Sequence, residues 1–218
     1  KAIGAGGAGG AGVISNISLI TTASTTRSQT ITIPALAQVG DVVFICGGGT
    51  SPGQAPPTGW TVNTETAGVF SLIIISKILT LSDLNSTITI VGPSSSASYA
   101  TILLYVFRAD VAVSSINISS VNTDGESDAK VTRTKIVTLH PPPSIIIAAR
   151  YIHNKFISSY EQMFSGTFWD NGYVLNSPIN AFASVYNVQN NTSINRDVVP
   201  VTQTSSYQHV HSFVVNFS

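Results

Sequence analysis

Thr30-Ile31-Thr32-Ile33 and Thr87-Ile88-Thr89-Ile90 alternate a hydroxyl with a β-branched apolar residue. That period of two puts successive side chains on opposite faces of a strand. Outward from these two stretches the same texture continues. Runs rich in Val, Ile and Thr lie at 14–20, 30–33, 41–46, 69–78, 86–91, 99–107, 115–121, 132–139, 145–149, 181–188 and 210–217. Pro34, Gly47-Gly48-Gly49, Pro52-Gly53, Pro56-Pro57, Pro93, Asp124-Gly125 and Pro141-Pro142-Pro143 fall between them and read as breakers. No window keeps apolar residues at i, i+3, i+4 and i+7 beyond a turn or two. The expected fold is all-β, a two-layer antiparallel β-sandwich of jelly-roll or Greek-key type.

Leu72-Ile73-Ile74-Ile75 and Ile102-Leu103-Leu104-Tyr105-Val106-Phe107 are apolar on both faces. Such a strand sits at a sheet centre under loops of its own chain, or its outer face is buried against a neighbouring subunit. No second copy of the strand pattern stands out in the residues. The expectation is therefore one domain over 13–218, preceded by a Gly-rich N-terminal arm over 1–12.

Composition excludes several functions. Of 218 residues, 43% are hydrophobic and 9% charged, with ten acids against ten bases. High hydrophobicity with low charge is the reverse of a disordered chain. Cys46 is the only cysteine, so neither an intrachain disulfide nor a cysteine zinc site is available. A balanced charge offers nucleic acid no basic footprint, and no apolar run reaches the length of a membrane span. A surface with so little charge favours self-association. Burial in an assembly, a cover of hydroxyls and amides, or a coat of glycans would relieve it.

The opening KAIGAGGAGGAG cannot form a core. It reads as a flexible linker or, from its period of three, as a polyproline-like arm packed against other chains. The start at Lys1 without Met suggests a processed chain or a fragment of a longer one. Gly4, Gly6, Gly7, Gly9, Gly10, Val13, Ile14, Ile17 and Leu19 form the candidate assembly arm.

Several motifs resemble chemistry without its context. Gly4-Ala5-Gly6-Gly7-Ala8-Gly9 fits a dinucleotide fingerprint but lacks the strand before it, the helix after it and the acid downstream. Gly49-Thr50-Ser51-Pro52-Gly53 fits a nucleophile elbow, yet the prolines that follow forbid the helix the elbow requires. His209 and His211 share a strand face, a chelating geometry, but no carboxylate or thiolate stands at ligand spacing to complete a site. Asp124, Glu126 and Asp128 form an acidic knot without calcium-loop spacing, and a solvated turn is the simpler reading. No catalytic, metal or cofactor residue is assigned.

The stretch 151–173 is richer. It holds Tyr151, Phe156, Tyr160, Phe164, Phe168, Trp169 and Tyr173 among amides and charges. Rings beside polar groups engage sugars and protein hot spots; the alternative is that they close one end of the core. Tyr160, Phe168, Trp169, Asp170 and Tyr173 are the candidate ligand- or receptor-binding residues. Sequons at Asn16, Asn85, Asn117, Asn190, Asn191 and Asn216 are candidate glycosylation sites if the protein meets that machinery.

VGDVVFICGGG from Val39, PPTGWTV with Trp60, ISKILTLSDLNSTITI, SYATILLYVFRAD and PPPSIIIAAR together resemble a β-sandwich domain of bacteriophage virion proteins of the tail-fibre and adhesion type. The likeness spans 28–150 best, and its motifs are structural. The resemblance implies a non-enzymatic role in assembly or host attachment. The expected partners are other copies of the chain, other virion proteins and a cell-surface glycan or protein. The expected location is the virion. The alternative is a subunit of an extracellular, pilus-like filament, with a strand such as 13–20 donated to the next subunit. A glycan-active enzyme on the same sandwich is a third, weaker reading.

Overall fold

The computed structural model describes residues 13–49, 57–65, 71–90, 100–126, 134–135, 143–153, 158–159, 170–176, 180–190, 197–198 and 208–218. Their order is β1 (Ile17–Thr26), β2 (Thr30–Thr32), β3 (Val42–Gly49), β4 (Thr61–Glu65), β5 (Ser71–Ile78), β6 (Thr87–Thr89), β7 (Thr101–Ala109), β8 (Ile116–Glu126), β9 (Thr134–Lys135), β10 (Ser144–His153), β11 (Asn171–Asn176), β12 (Asn180–Gln189), β13 (Asp197–Val198) and β14 (Gln208–Phe217). A single 3-10 turn at Leu81–Asp83 accompanies them, and no α-helix occurs among the described residues.

Two five-stranded antiparallel sheets result, β1-β7-β3-β5-β4 and β11-β12-β10-β14-β8, with small ladders β2-β6 and β13-β9. Read from the opposite edge, the first sheet is β4-β5-β3-β7-β1, and seven added to each number gives the second. The small ladders obey the same rule. β2 packs on β1 and β7 as β9 packs on β8 and β14, and across the sandwich β1 meets β11 while β4 meets β8. Each half also bulges on its first strand: the β1–β7 register shifts between Leu19 and Thr21. The β8–β14 register shifts between Ser212 and Val214, with the extra residue on β8. The chain is thus two halves of identical strand order, with β3 and β10 at the centres of their sheets. The halves share strand order without sharing a visible residue pattern.

The interior between the sheets draws on both halves. Phe44, Cys46, Leu72, Ile74, Tyr105 and Phe107 meet Ile145, Ile147, Ala149, Tyr151, Phe182 and Val215. The outer face of the first sheet is buried too, by its own chain. Val43, Ile45, Ile73, Ile75, Ile102, Leu104 and Val106 pack under Ile31, Ile33, Ile88, Ile90, Trp60 and Leu79. The doubly apolar runs are therefore central strands covered by the β2-β6 flap and its flanking loops.

Two supposed breakers lie inside strands. Gly47, Gly48 and Gly49 continue β3, and a Cβ on Gly48 would stand 2.5 Å from the Tyr151 ring. Glycine there admits the ring of the facing sheet, and no turn is made. Asp124 and Gly125 likewise continue β8, paired with Val210 and His209; the acidic knot is no turn up to Glu126, and Asp128 lies outside the described residues. Left-handed glycines do occur at Gly40 (φ +89) and Gly59 (φ +84), both in tight turns.

Candidate functional site

Polar chemistry in this chain first holds strand ends. Asn190, just past β12, accepts from the Ile17 amide at 2.8 Å and donates to the Ile17 carbonyl at 3.1 Å. Its amide also donates to Asn16 Oδ1 at 2.7 Å. The side chain thus mimics a strand and stitches β1 of one half to the end of β12 in the other. Asp110 receives the amide and hydroxyl of Ser15, and those bonds hold its carboxyl below the usual value. Ser114 and Ser115 amides donate to the Ser218 carbonyl at 2.6 and 2.8 Å.

Three further carboxylates are engaged in the same way. Asp41 is buried and receives Arg108 Nε at 2.7 Å and Nη2 at 2.8 Å, plus the Gln38 amide. That bond to Asp41 raises the Arg108 guanidinium. Asp83 receives Lys77 Nζ at 2.6 Å, with the Thr80 hydroxyl and amide. Burial alone would raise the Asp83 carboxyl, but those donors and the Lys77 charge hold it below its ordinary value. Asp170 accepts from Asn187 Nδ2 and the Val188 amide.

Of the candidate receptor-binding residues, Asp170 is exposed with its carboxylate so occupied, and Tyr173 is half-buried. The Tyr173 ring meets Tyr105 edge-on at 5.7 Å. Tyr186 meets Tyr105 and Phe107 at 5.4 and 5.6 Å, and burial, aided by Tyr173 and Asp170, pushes its hydroxyl up to about 12. Tyr160, Phe168 and Trp169 lie outside the described residues. So do Gly4, Gly6, Gly7, Gly9 and Gly10 of the arm. Val13 is exposed, whereas Ile14 and Ile17 are buried in the inter-sheet core and Leu19 packs against it.

Asn16, Asn85 and Asn117 are exposed; Asn190 and Asn216 are half-buried, and Asn191 lies outside the described residues. A sugar on the Asn190 amide would displace the bonds that fasten β1. Among the described residues no cluster of three ligating side chains occurs; His209 and His211 pair with Tyr151 and Ala149 in the β14–β10 register. Cys46 is fully buried, and that burial, slightly opposed by Ser184, pushes its thiol up to about 12, so it is inert in the folded chain. No described helix is long and apolar enough to cross a membrane.

One feature escaped sequence reasoning. Between β4–β5 and β8 lies a cleft of about 300 Å³ lined by Gly59, Thr61, Asn63, Ser76, Lys77, Ile78, Ile116 and Ile118. Ser76 faces Thr61 in register, and Asn63 is the extra residue at the β4 bulge between Val62 and Thr64. Ser76 is buried and donates to Asn63 Oδ1 at 3.0 Å, leaving Asn63 Nδ2 buried with no acceptor. The only signal in the sequence was the hydroxyl-rich TVNTE, which reads as a loop until β5 and β8 are in place. No protein-family model, curated protein or solved structure matches the chain.

Proposed function

We propose that the chain is a non-enzymatic virion structural protein of the tail-fibre, receptor-binding or decoration type, acting in assembly and host-surface attachment. The observation that carries this is the use of four of its ten carboxylates. Asp41, Asp83, Asp110 and Asp170 all accept bonds that fix a turn or a strand end. Such a chain is built to hold shape and to present surface. Its low charge suits packing among copies of itself and other virion proteins, with a cell-surface glycan or protein as the distal ligand. The resemblance of VGDVVFICGGG, PPTGWTV and SYATILLYVFRAD to phage tail-fibre and adhesion domains points the same way.

Within the sandwich class we favour the Greek-key description. β7 returns beside β3, and β14 beside β10, as the fourth strand of a Greek key returns beside the first. The order departs from the ideal in that β5, not β4, neighbours β3. The jelly roll fits less well, since its strands alternate between sheets and this chain finishes one sheet before starting the next.

The filament alternative is second for a specific reason: β1 is already paired along its length with β7 of its own chain. Donation of that strand would have to break this pairing and extract Ile14 and Ile17 from the core. A glycan-active enzyme stays third, with no nucleophile or acid–base pair to assign among the described residues.

Immunogold electron microscopy of the native source material, with antibody against this chain, tests the proposal. Label on capsids or tail tips is expected. Label running along free filaments, with no particles, overturns it in favour of strand donation.

A further inference from the structure

The shared strand order makes the two flanks of the sandwich equivalent, and they are finished differently. On one flank, β1 lies over β11. There Leu19, Tyr173 and Leu175 pack on the shared core, and Asn190 ties the two sheets. On the other flank, β4 lies over β8, and Thr61, Asn63 and Ser76 face the inter-sheet space beside Ile78, Ile116 and Ile118. Polar residues at inward positions leave the cleft where the opposite flank has rings.

We propose that this cleft binds an uncharged polyhydroxyl ligand, a neutral sugar ring of a cell-surface glycan. This rests on the attachment reading and names the ligand class for it. The lining supplies the two things a sugar needs. Hydroxyl and amide groups of Thr61 and Asn63 exchange hydrogen bonds with ring hydroxyls, and half-buried Ile78, Ile116 and Ile118 form an apolar floor for the ring's C–H face. The Asn63 amide is held by its bond from Ser76, so the donor left without an acceptor is Nδ2. A buried donor without an acceptor is costly, and a ligand oxygen removes that cost. The lining offers an anion no free cation: among the described residues its one ionised group is Lys77, which Asp83 pairs at 2.6 Å.

Saturation-transfer NMR on the full chain tests this with the methyl glycosides of glucose, galactose, mannose and N-acetylglucosamine, and N-acetylneuraminic acid as the anionic probe. Transfer to at least one neutral glycoside is expected, abolished in Thr61→Trp, which fills the mouth, and weakened at least tenfold in Asn63→Ala. Ser18→Ala on the opposite flank keeps the signal, and unchanged thermal midpoints certify that the variants fold. No transfer to any neutral glycoside, transfer that persists in Thr61→Trp, or transfer to N-acetylneuraminic acid alone overturns the proposal. Gold label on particles without sugar binding removes the cleft proposal and leaves attachment standing; sugar binding by a chain absent from particles does the reverse.

Discussion

The two halves of this chain are one architecture executed with different residues. In the first half, Trp60 immediately precedes β4 and sits buried under the flap with Ile31, Ile33 and Ile88. In the second, Trp169 stands two residues ahead of β11, the equivalent strand. The connection that ends at β4 spans 50–60, whereas its counterpart spans 154–170 and carries the aromatic stretch. Strand order, the first-strand bulges and the flaps are common property of the two halves, so the fold rests on them; the bulge between Val62 and Thr64 of β4 has no counterpart on β11. What differs, the long connection and the finish of the flanks, is where individual function is to be sought.

The largest effect expected of a single change follows from Trp60. Trp60→Ala removes a buried ring and costs about 3–5 kcal/mol, read as a lower urea midpoint at unchanged slope. The same substitution at Trp169 sharpens the comparison. A comparable loss extends the repeat to the tryptophan and makes it core. A change within about 0.5 kcal/mol, together with loss of cell binding, keeps it as a recognition residue and marks where the halves diverge.

Gly48→Ala is next. The new methyl would meet the Tyr151 ring at 2.5 Å, and overpacking of this kind costs about 1–3 kcal/mol. Because Gly48 is on β3 and Tyr151 on β10, the contact joins the central strands of the two sheets. Gly48→Ala/Tyr151→Leu makes room and is expected to recover part of the loss. Additive losses in chemical denaturation would mean that the contact does not couple the halves.

How much of this was legible beforehand divides along the same lines. Central strands β3, β5, β7 and β10 announce themselves through runs of Val, Ile and Leu, which burial on both faces favours. The strands the sequence hides are β4, β11 and β13. β4 and β11 hold the same outer place in their two sheets. An edge strand is half solvated, so TVNTE and NGYVLN carry turn-like polarity. β1 is the same case: Ile17–Thr26 runs six residues beyond the expected 14–20 because its tail, TTASTT, is polar. The repeat was invisible because matching positions need only matching burial. The cleft was invisible because a polar inward position becomes one only when the opposite sheet is present.

Arg108 and Asp41 tie the end of β7 to the start of β3. The corresponding ends in the second half, Ser144 and Phe217-Ser218, offer no such pair. Arg108→Ala leaves a buried carboxylate without its fork and is expected to cost about 1–3 kcal/mol; Arg108→Lys restores the charge without the paired donors and recovers only part. Asn190→Ala is smaller, about 1 kcal/mol, and its signature is local. Hydrogen exchange at the Ile17 amide accelerates, while amides of β10 and β12 hold. Acceleration spread through both sheets would make the clasp a global element of stability.

The smallest effect separates the halves by pH. Asp83 has its folded pKa below the ordinary value of 3.8, since Lys77 and Thr80 bond the ionised form. A carboxyl lowered on folding stabilises fully above its unfolded value, and that contribution fades as pH falls through the folded one. The connection in the second half that corresponds to 79–86 is 190–196, Asn190-Asn191-Thr192-Ser193-Ile194-Asn195-Arg196, which holds no acid. Asp83→Asn should therefore lower stability by about 1 kcal/mol or less at pH 7, with the difference closing as the pH is taken well below 3.8. Amide exchange localises the change to the first half: β5 and the Leu81–Asp83 turn lose protection at pH 7, and β12 does not. A loss shared by both halves would show that the turn couples through the common core to the second sheet, and the two copies would have to be treated as one cooperative unit at every pH.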